Sequence, residues 1–126
     1  MTTRKISILI IIVLFIVVLV LPNFNFPIKN KDLIGTYIED YYVSLNSDHT
    51  KIRDTLILRE NGLISSNYFG NGSYKFTKPD RITLIPETGK DAMTYTVNLT
   101  NIIFQPITIE LSNTVDWHRY EKIKSN

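Results

Sequence analysis

The sequence predicts an all-β domain that follows one N-terminal membrane helix. An apolar run occupies residues 6–21, in which Ser7 is the one polar member. In the rest of the chain, apolar and polar residues alternate within short stretches. Residues typical of turns separate these stretches at intervals of about 8 to 12 residues. We see no convincing amphipathic helix in it. This succession favours a small antiparallel up-and-down β-barrel of seven or eight strands, because closure of a meander protects its sheet edges.

The apolar run has the composition of a transmembrane helix. Its sixteen residues would rise about 24 Å, a little less than the roughly 30 Å of the hydrocarbon core, and local thinning of the bilayer can absorb this difference. A cleaved secretory signal is the alternative, although no Ala-x-Ala-like site follows the run. Arg4 and Lys5 precede the run, so the positive-inside rule predicts a cytoplasmic N-terminus and an exported C-terminal domain, periplasmic or extracellular.

These features divide the chain into four predicted parts. They are a cytoplasmic leader (1–5), a transmembrane helix or signal anchor (6–21), a linker (22–31) and a barrel domain (32–126). The linker contains two prolines and three asparagines and has no periodicity, so we expect it to hold the domain close to the membrane surface.

Charge differs between these parts of the chain. The whole chain carries a formal charge of +2, yet residues 32–126 contain 10 basic and 12 acidic residues. The basic excess therefore belongs to the leader and the linker. The domain has no basic stripe with aromatic partners, so the sequence gives no support to nucleic-acid binding.

Turn residues and alternation place the predicted strands. The clearest pattern extends from Met93 to Leu99, where every second residue is apolar, so we expect a strand with one buried and one wet face. The dipeptide Asn61-Gly62 between two extended runs predicts a hairpin with a type I′ turn. The predicted strands are 33–45, 54–60, 63–69, 73–77, 81–86, 93–99, 102–111 and 115–124.

Four stretches carry a resemblance to a known family. They are Gly35-Thr36-Tyr37, the hairpin from Asp54 to Gly62, Gly70-Asn71-Gly72-Ser73-Tyr74, and the closing run from Trp117 to Ile123. Together they resemble the short lipocalin-like β-barrel domains of bacterial membrane-anchored envelope proteins. In lipocalins a tryptophan on the first strand packs beneath an arginine from near the last strand. Tyr37 and Arg119 stand in matching order, so the resemblance implies a contact between them.

The sequence contains no recognisable catalytic motif, phosphate loop or cofactor site. We therefore predict that the protein is not an enzyme and holds no cofactor or metal. The two histidines are His49 and His118, and a catalytic or zinc site would need one of them beside carboxylates such as Asp54 or Asp116. We expect His49 in a solvated turn and His118 on the outer face of the last strand.

Trp117 and Tyr120 form the candidate interaction surface. On a regular strand they point to opposite faces, so only one of them can belong to the core. The other is then an exposed aromatic residue available to a partner. Most of the seven tyrosines have a simpler explanation, because aromatic residues are favoured on half-buried strands and fill barrel interiors.

These features predict a membrane-anchored, non-enzymatic interaction domain on the outer face of the cytoplasmic membrane. Residues 6–21 would contact the bilayer, while loops and an exposed sheet edge would be available to an envelope protein. The alternative is a lipocalin-like carrier or sensor of a small apolar ligand, which needs an enclosed pocket of some 300 Å³ or more. A hydrolase is the third interpretation, and it needs a histidine bonded to a carboxylate in a cleft.

Overall fold

The chain forms one closed β-barrel behind an N-terminal helix. The computed structural model describes residues 3–44, 53–87, 93–112 and 116–123. The helical elements are α1 (Thr3–Val20), a 3-10 turn (Leu21–Asn23) and the one-turn α2 (Asn30–Leu33). The strands are β1 (Gly35–Ser44), β2 (Thr55–Leu58), β3 (Leu63–Ser66), β4 (Gly70–Thr77), β5 (Arg81–Pro86), β6 (Tyr95–Thr100), β7 (Thr108–Ser112) and β8 (Asp116–Lys122). All neighbouring strands are antiparallel and follow chain order, which confirms the predicted fold class.

The N-terminal helix is long and apolar enough to cross a membrane. Helix α1 and the 3-10 turn together comprise 21 residues, of which the most apolar stretch of 18 has a mean hydropathy of 3.1 and no buried residue. A helix that is apolar all round has no polar face to meet water. A signal sequence has the same length and composition, so these properties agree with either a permanent anchor or a cleaved signal.

Pairing between the first and last strands closes the barrel. The β1–β8 ladder extends from Tyr37 opposite Lys122 to Ser44 opposite Asp116. Each described strand therefore has a neighbour on both sides. The exposed sheet edge that we expected as a contact surface is absent from the described barrel, because closure pairs the backbone groups that an edge would leave free.

A bulge in β1 decides which of its side chains enter the barrel. The β1–β8 register shifts between Glu39 and Tyr41. Tyr37 and Glu39 are buried before the shift. After it, Tyr41 is exposed and Tyr42 packs on the ring of a buried histidine of β8. An extra residue in one strand resets the alternation, so Glu39 and Tyr42 both point inward although their spacing is odd.

Large apolar side chains from the described strands and their connections form the core of the barrel. The buried hydrophobic residues are Ile28, Leu33, Tyr37, Leu56, Leu58, Ile64, Phe69, Ile82, Leu84, Leu99, Ile107, Ile109, Leu111 and Tyr120. Burial of each such side chain contributes about 1.5–3 kcal/mol. At Gly72 the barrel has no room for a side chain, because a Cβ would lie 2.3 Å from the carbonyl oxygen of Ile85.

Two local predictions need correction. The hairpin at Asn61-Gly62 is confirmed, but Gly62 alone has a positive φ (78°). A type I′ turn needs two positive φ values, so this prediction was wrong, and a longer connection with glycine in the left-handed region joins β2 to β3. In the 93–99 pattern, Leu99 is buried as expected. Met93 is exposed because β6 begins only at Tyr95.

The segment predicted as a linker is bonded to one end of the barrel. The backbone amide of Phe26 donates to the carbonyl oxygen of Asn101 (2.8 Å), and that of Ile28 donates to Pro79 (3.0 Å). Ile28 and Leu33 are buried. We call this end the anchor end; it comprises residues 25–34 and the connections 59–62, 78–80 and 101–107. The opposite end, which includes residues 53–54, 67–69, 87 and 116, is the distal end.

Candidate functional site

A layer of buried polar side chains lies inside the barrel toward its distal end. We call it the distal polar cluster, and it consists of the buried residues Glu39, Asp54, His118 and Tyr120 together with the partly buried Ser66. Glu39, Asp54 and His118 are the buried charged or titratable polar residues of the described chain. Each occupies an inward position: Asp54 alternates with Leu56 and Leu58, and His118 alternates with Tyr120.

The Asp54 carboxylate is the centre of the cluster. One oxygen, Oδ2, accepts hydrogen bonds from the Ser66 hydroxyl and from the Tyr120 hydroxyl (2.7 Å). The other, Oδ1, accepts from the backbone amides of Asn67 (2.8 Å) and Tyr68 (3.3 Å). Four donors from three elements therefore meet at one carboxylate, which compensates the cost of its burial. Asp54 thus fixes the turn between β3 and β4 against β8.

Glu39 and His118 form a second buried contact. The Nδ1 atom of His118 lies 2.5 Å from Oε1 of Glu39, and both side chains are almost fully buried. The other Glu39 oxygen accepts a hydrogen bond from the backbone amide of Asp54 (3.2 Å). The Glu39 carboxylate is thereby linked to the backbone of Asp54, which directly precedes β2. Among the residues that the structure describes, the Nε2 atom of His118 has no hydrogen-bond partner.

Aromatic rings surround the imidazole of His118. Its centroid lies 4.3 Å from that of Tyr68, 4.6 Å from that of Tyr42 and 5.4 Å from that of Phe69. The hydroxyls of Tyr68 and Tyr42 both donate to the carboxylate of Asp116, at 2.7 Å and 3.2 Å. The tyrosines therefore cover the histidine on the side that faces the distal end.

Burial raises the pKa values of two tyrosines in this region, Tyr120 and Tyr68. For Tyr120, burial is the larger cause, and the hydrogen bond to Asp54 raises the pKa further. Burial also raises the pKa of Tyr68, together with its hydrogen bond to Asp116. A phenol beside a carboxylate loses its proton less readily, because two negative charges would then adjoin. Both tyrosines therefore act as hydrogen-bond donors at neutral pH.

The Glu39–His118 pair has the contact that orients the histidine of a catalytic triad. A triad also needs a nucleophile at Nε2, and no described residue provides one there. Within the described ranges, no group of three or more His, Cys, Asp or Glu side chains is arranged to hold a metal ion. The contact required by the hydrolase interpretation is thus present, but both side chains are buried in the barrel interior and are closed off from water.

A second feature lies on the outer wall of the barrel. The rings of Tyr41 and Trp117 meet edge to face at 5.7 Å, and the two residues are 43% and 44% exposed. Arg119 lies opposite Tyr41 in the β1–β8 ladder and forms ion pairs with Asp40 (3.0 Å) and Glu121 (3.0 Å). We call Tyr41, Trp117 and Arg119 the outer aromatic patch.

The structure separates the candidate residues of the sequence. Trp117 is exposed and Tyr120 is fully buried, so Tyr120 belongs to the core and cannot be part of an interaction surface. The prediction that His118 lies on the outer face was wrong, because it shares the inward face of β8 with Tyr120. His49 lies outside the described residues.

The contact implied between Tyr37 and Arg119 is not formed. Arg119 points outward to its ion pairs, whereas Tyr37 is buried and donates to the carbonyl oxygen of Leu33 (2.6 Å). The residue opposite Tyr37 is Lys122. Residue order along the chain therefore did not predict which face of β8 the arginine occupies.

Sequence reasoning missed Glu39 and the central role of Asp54. A signal for Asp54 was present, since it continues the inward alternation of Leu56 and Leu58. Glu39 also alternates with Tyr37, but the bulge that follows it obscures the pattern. The contact of Glu39 with His118 joins residues 79 positions apart, so it depends on strand pairing that no local pattern specifies.

Comparisons with known proteins were made at three levels: family models, curated proteins and solved structures. The chain matches no protein-family model, no curated protein and no solved structure.

Proposed function

We propose that this protein is a membrane-anchored, non-enzymatic interaction domain on the outer face of the cytoplasmic membrane. Its barrel would hold the outer aromatic patch in a fixed position for a protein partner of the cell envelope. The observation that carries this proposal is the exposed pair of Tyr41 and Trp117 beside Arg119. The lipocalin-like resemblance is compatible with this role but does not specify it, because one fold serves many functions.

The anchor and the charges beside it support the location. Helix α1 is apolar on every face, and Arg4 and Lys5 lie at its N-terminal end. Basic residues near a membrane span favour the cytoplasmic side. The barrel follows the span directly, so it would stand on the opposite side.

The composition of the patch supports protein binding. Tyrosine, tryptophan and arginine are the residue types most enriched among the side chains that dominate binding energy at protein interfaces. The two rings of the patch support each other, and two carboxylates hold the Arg119 side chain. Side chains that are ordered before binding lose less conformational entropy when a partner arrives.

The charge around the patch indicates the kind of partner. Arg119 lies among three carboxylates, because Asp40 and Glu121 bond to it and Glu110 lies opposite it in the β7–β8 ladder. The patch therefore combines an apolar centre with a net negative rim. A protein surface with an apolar residue between basic side chains would complement it.

Trp117→Ala tests the patch in the full-length protein captured from its own membranes. Leu63→Ala is the matched control, because Leu63 is also 44% exposed but lies on β3. We expect Trp117→Ala to abolish capture of one specific protein that wild type and Leu63→Ala both retain. A photo-crosslinking amino acid at position 117, and not at position 63, should label the same protein. An identical set of captured proteins for all three chains would refute the proposal.

A carrier or sensor of a small apolar ligand remains the alternative. It needs an enclosed apolar pocket. The described part of the barrel interior contains large buried side chains, including Tyr37, Tyr120 and Phe69. This packing supports the interaction domain over the carrier.

A further inference from the structure

The connection between the membrane helix and the barrel is very short. The 3-10 turn that follows α1 ends at Asn23. At residue 25, the side-chain oxygen of Asn25 already accepts a hydrogen bond from the backbone amide of Asn101 (2.6 Å), and its amide group donates to the carbonyl oxygen of Leu99 (3.0 Å). Two residues of extended chain span about 7 Å. The anchor end must therefore remain within a short distance of the point where the chain leaves the bilayer.

The loop between β6 and β7 extends from this end and carries an unusual residue. Phe104 is 98% exposed, and its φ of 62° lies in the left-handed region. Exposure of a phenyl ring to water is unfavourable, and the left-handed conformation is unfavourable for a residue with a bulky side chain. Asn101, at the start of the same loop, bonds to Asn25 and to the carbonyl oxygen of Phe26. The structure thus holds an exposed aromatic ring beside the membrane connection.

A second aromatic residue lies on the connection itself. Phe24 is exposed and contacts the ring of Phe26 edge to face at 4.8 Å. Aromatic side chains are favoured where the apolar core of a membrane meets its headgroups. Phe24 and Phe104 therefore belong to one end of the molecule and suit the same environment.

Charge distinguishes the anchor end from the distal end. The residues of the anchor end and the adjoining strand termini include six basic and three acidic side chains: Lys29, Lys31, Arg59, Lys78, Arg81 and Lys122 against Asp32, Glu60 and Asp80. The described distal end has one basic residue, Arg53, against Asp54, Glu87 and Asp116. A basic surface is attracted to anionic lipid headgroups.

We propose that the anchor end is a second membrane contact, in which Phe104 enters the interfacial region of a bilayer that contains anionic lipid. The barrel then stands on the membrane at two points, the helix and the β6–β7 loop, and presents its distal end away from the lipid. This inference rests on the proposed function, because it requires α1 to be a membrane anchor.

The absence of cysteine from the chain allows a direct test with single labels. Phe104→Cys and Met93→Cys, each in the full-length chain, would carry the same environment-sensitive fluorophore. Met93 is the matched control, because it is an exposed apolar residue that precedes β6, whereas Phe104 follows it. The proteins would be incorporated into vesicles of equal parts phosphatidylcholine and phosphatidylglycerol, with and without lipids that carry a nitroxide quencher near the headgroup.

We expect a blue shift and strong quenching of the label at position 104, and neither at position 93. Flotation of the vesicles tests the anchor separately. If the protein floats with the vesicles but the label at 104 behaves like that at 93, the loop contact is refuted while the anchor stands. If the protein does not float, the anchor fails, and both proposals fail with it. Both labelled positions are exposed, so circular dichroism should show an unchanged fold.

Discussion

The two ends of the barrel differ in which side chains they bury and which they expose. The distal end buries charged and polar groups and pairs most of them, through hydrogen bonds that converge on Asp54 and through the contact between Glu39 and His118. The anchor end leaves an aromatic ring, Phe104, exposed to water, and this end carries an excess of basic over acidic residues. The first arrangement stabilises the folded barrel. The Phe104 ring gains nothing from burial within the described barrel, so a contact outside the barrel would account for its exposure.

This difference suggests how the molecule divides its tasks. The interior of the distal end holds β1, β2, β3 and β8 together. On the outer wall of β1 and β8, the same strands carry the outer aromatic patch. Rigidity at the distal end would therefore position the patch, and the anchor end would set the distance of the patch from the lipid.

Among these substitutions, Asp54→Ala should have the largest effect on the free energy of unfolding. It tests whether the stability of the distal end depends on the Asp54 carboxylate. The substitution leaves four donors without their acceptor, and we expect the free energy of unfolding to fall by about 3 kcal/mol. Urea unfolding of the full-length protein in detergent, followed by circular dichroism, measures it. Glu87→Ala, an exposed acidic residue of the same end, should change it little. Equal losses for the two variants would contradict the central role of Asp54.

Alkaline pH should reveal the burial of Tyr120. The pKa of Tyr120 is raised in the folded state, whereas that of an unfolded tyrosine is about 10. Below pH 10 both states keep the proton, so this contribution is fully present. Above pH 10 the unfolded chain releases the proton and the folded chain retains it, so stability falls as pH rises.

Tyr120→Phe removes this titration. The variant should be less stable at pH 7, because it lacks the hydrogen bond to Asp54. Above pH 10 its stability should fall less steeply than that of wild type. The two slopes should differ by about 1.4 kcal/mol per pH unit, which is the value for one titrating proton. Unfolding curves at several pH values between 8 and 11 measure both effects. Parallel pH profiles would show that Tyr120 does not titrate as a buried phenol.

Phe104→Asn should have the smallest effect on stability, and unlike the other substitutions it should not lower it. Asparagine tolerates the left-handed region better than phenylalanine and exposes no ring, so we expect an unchanged stability or a gain of up to about 1 kcal/mol. Phe76→Asn provides the contrast, because Phe76 packs against the core and its loss should lower the melting temperature. A strong loss of stability in Phe104→Asn would mean that Phe104 has a structural role in the barrel.

Several features of the fold could be predicted because their signals are local. The apolar run, the hairpin glycine and the alternation that ends at Leu99 each depend on neighbouring residues alone. Alternation also predicts that Trp117 and Tyr120 face opposite sides. It does not predict which of the two is buried, because both faces of that strand carry an aromatic residue.

By itself, the sequence determined the apolar N-terminal helix, the all-β class and the approximate strands, since hydrophobic periodicity and turn residues act over a few positions. The tertiary structure decided the closure of β1 on β8, the inward direction of His118 and its contact with Glu39. It also decided that residues 25–34 belong to the barrel. These features depend on register, and one residue of shift at the β1 bulge exchanges the inner and outer faces of a strand.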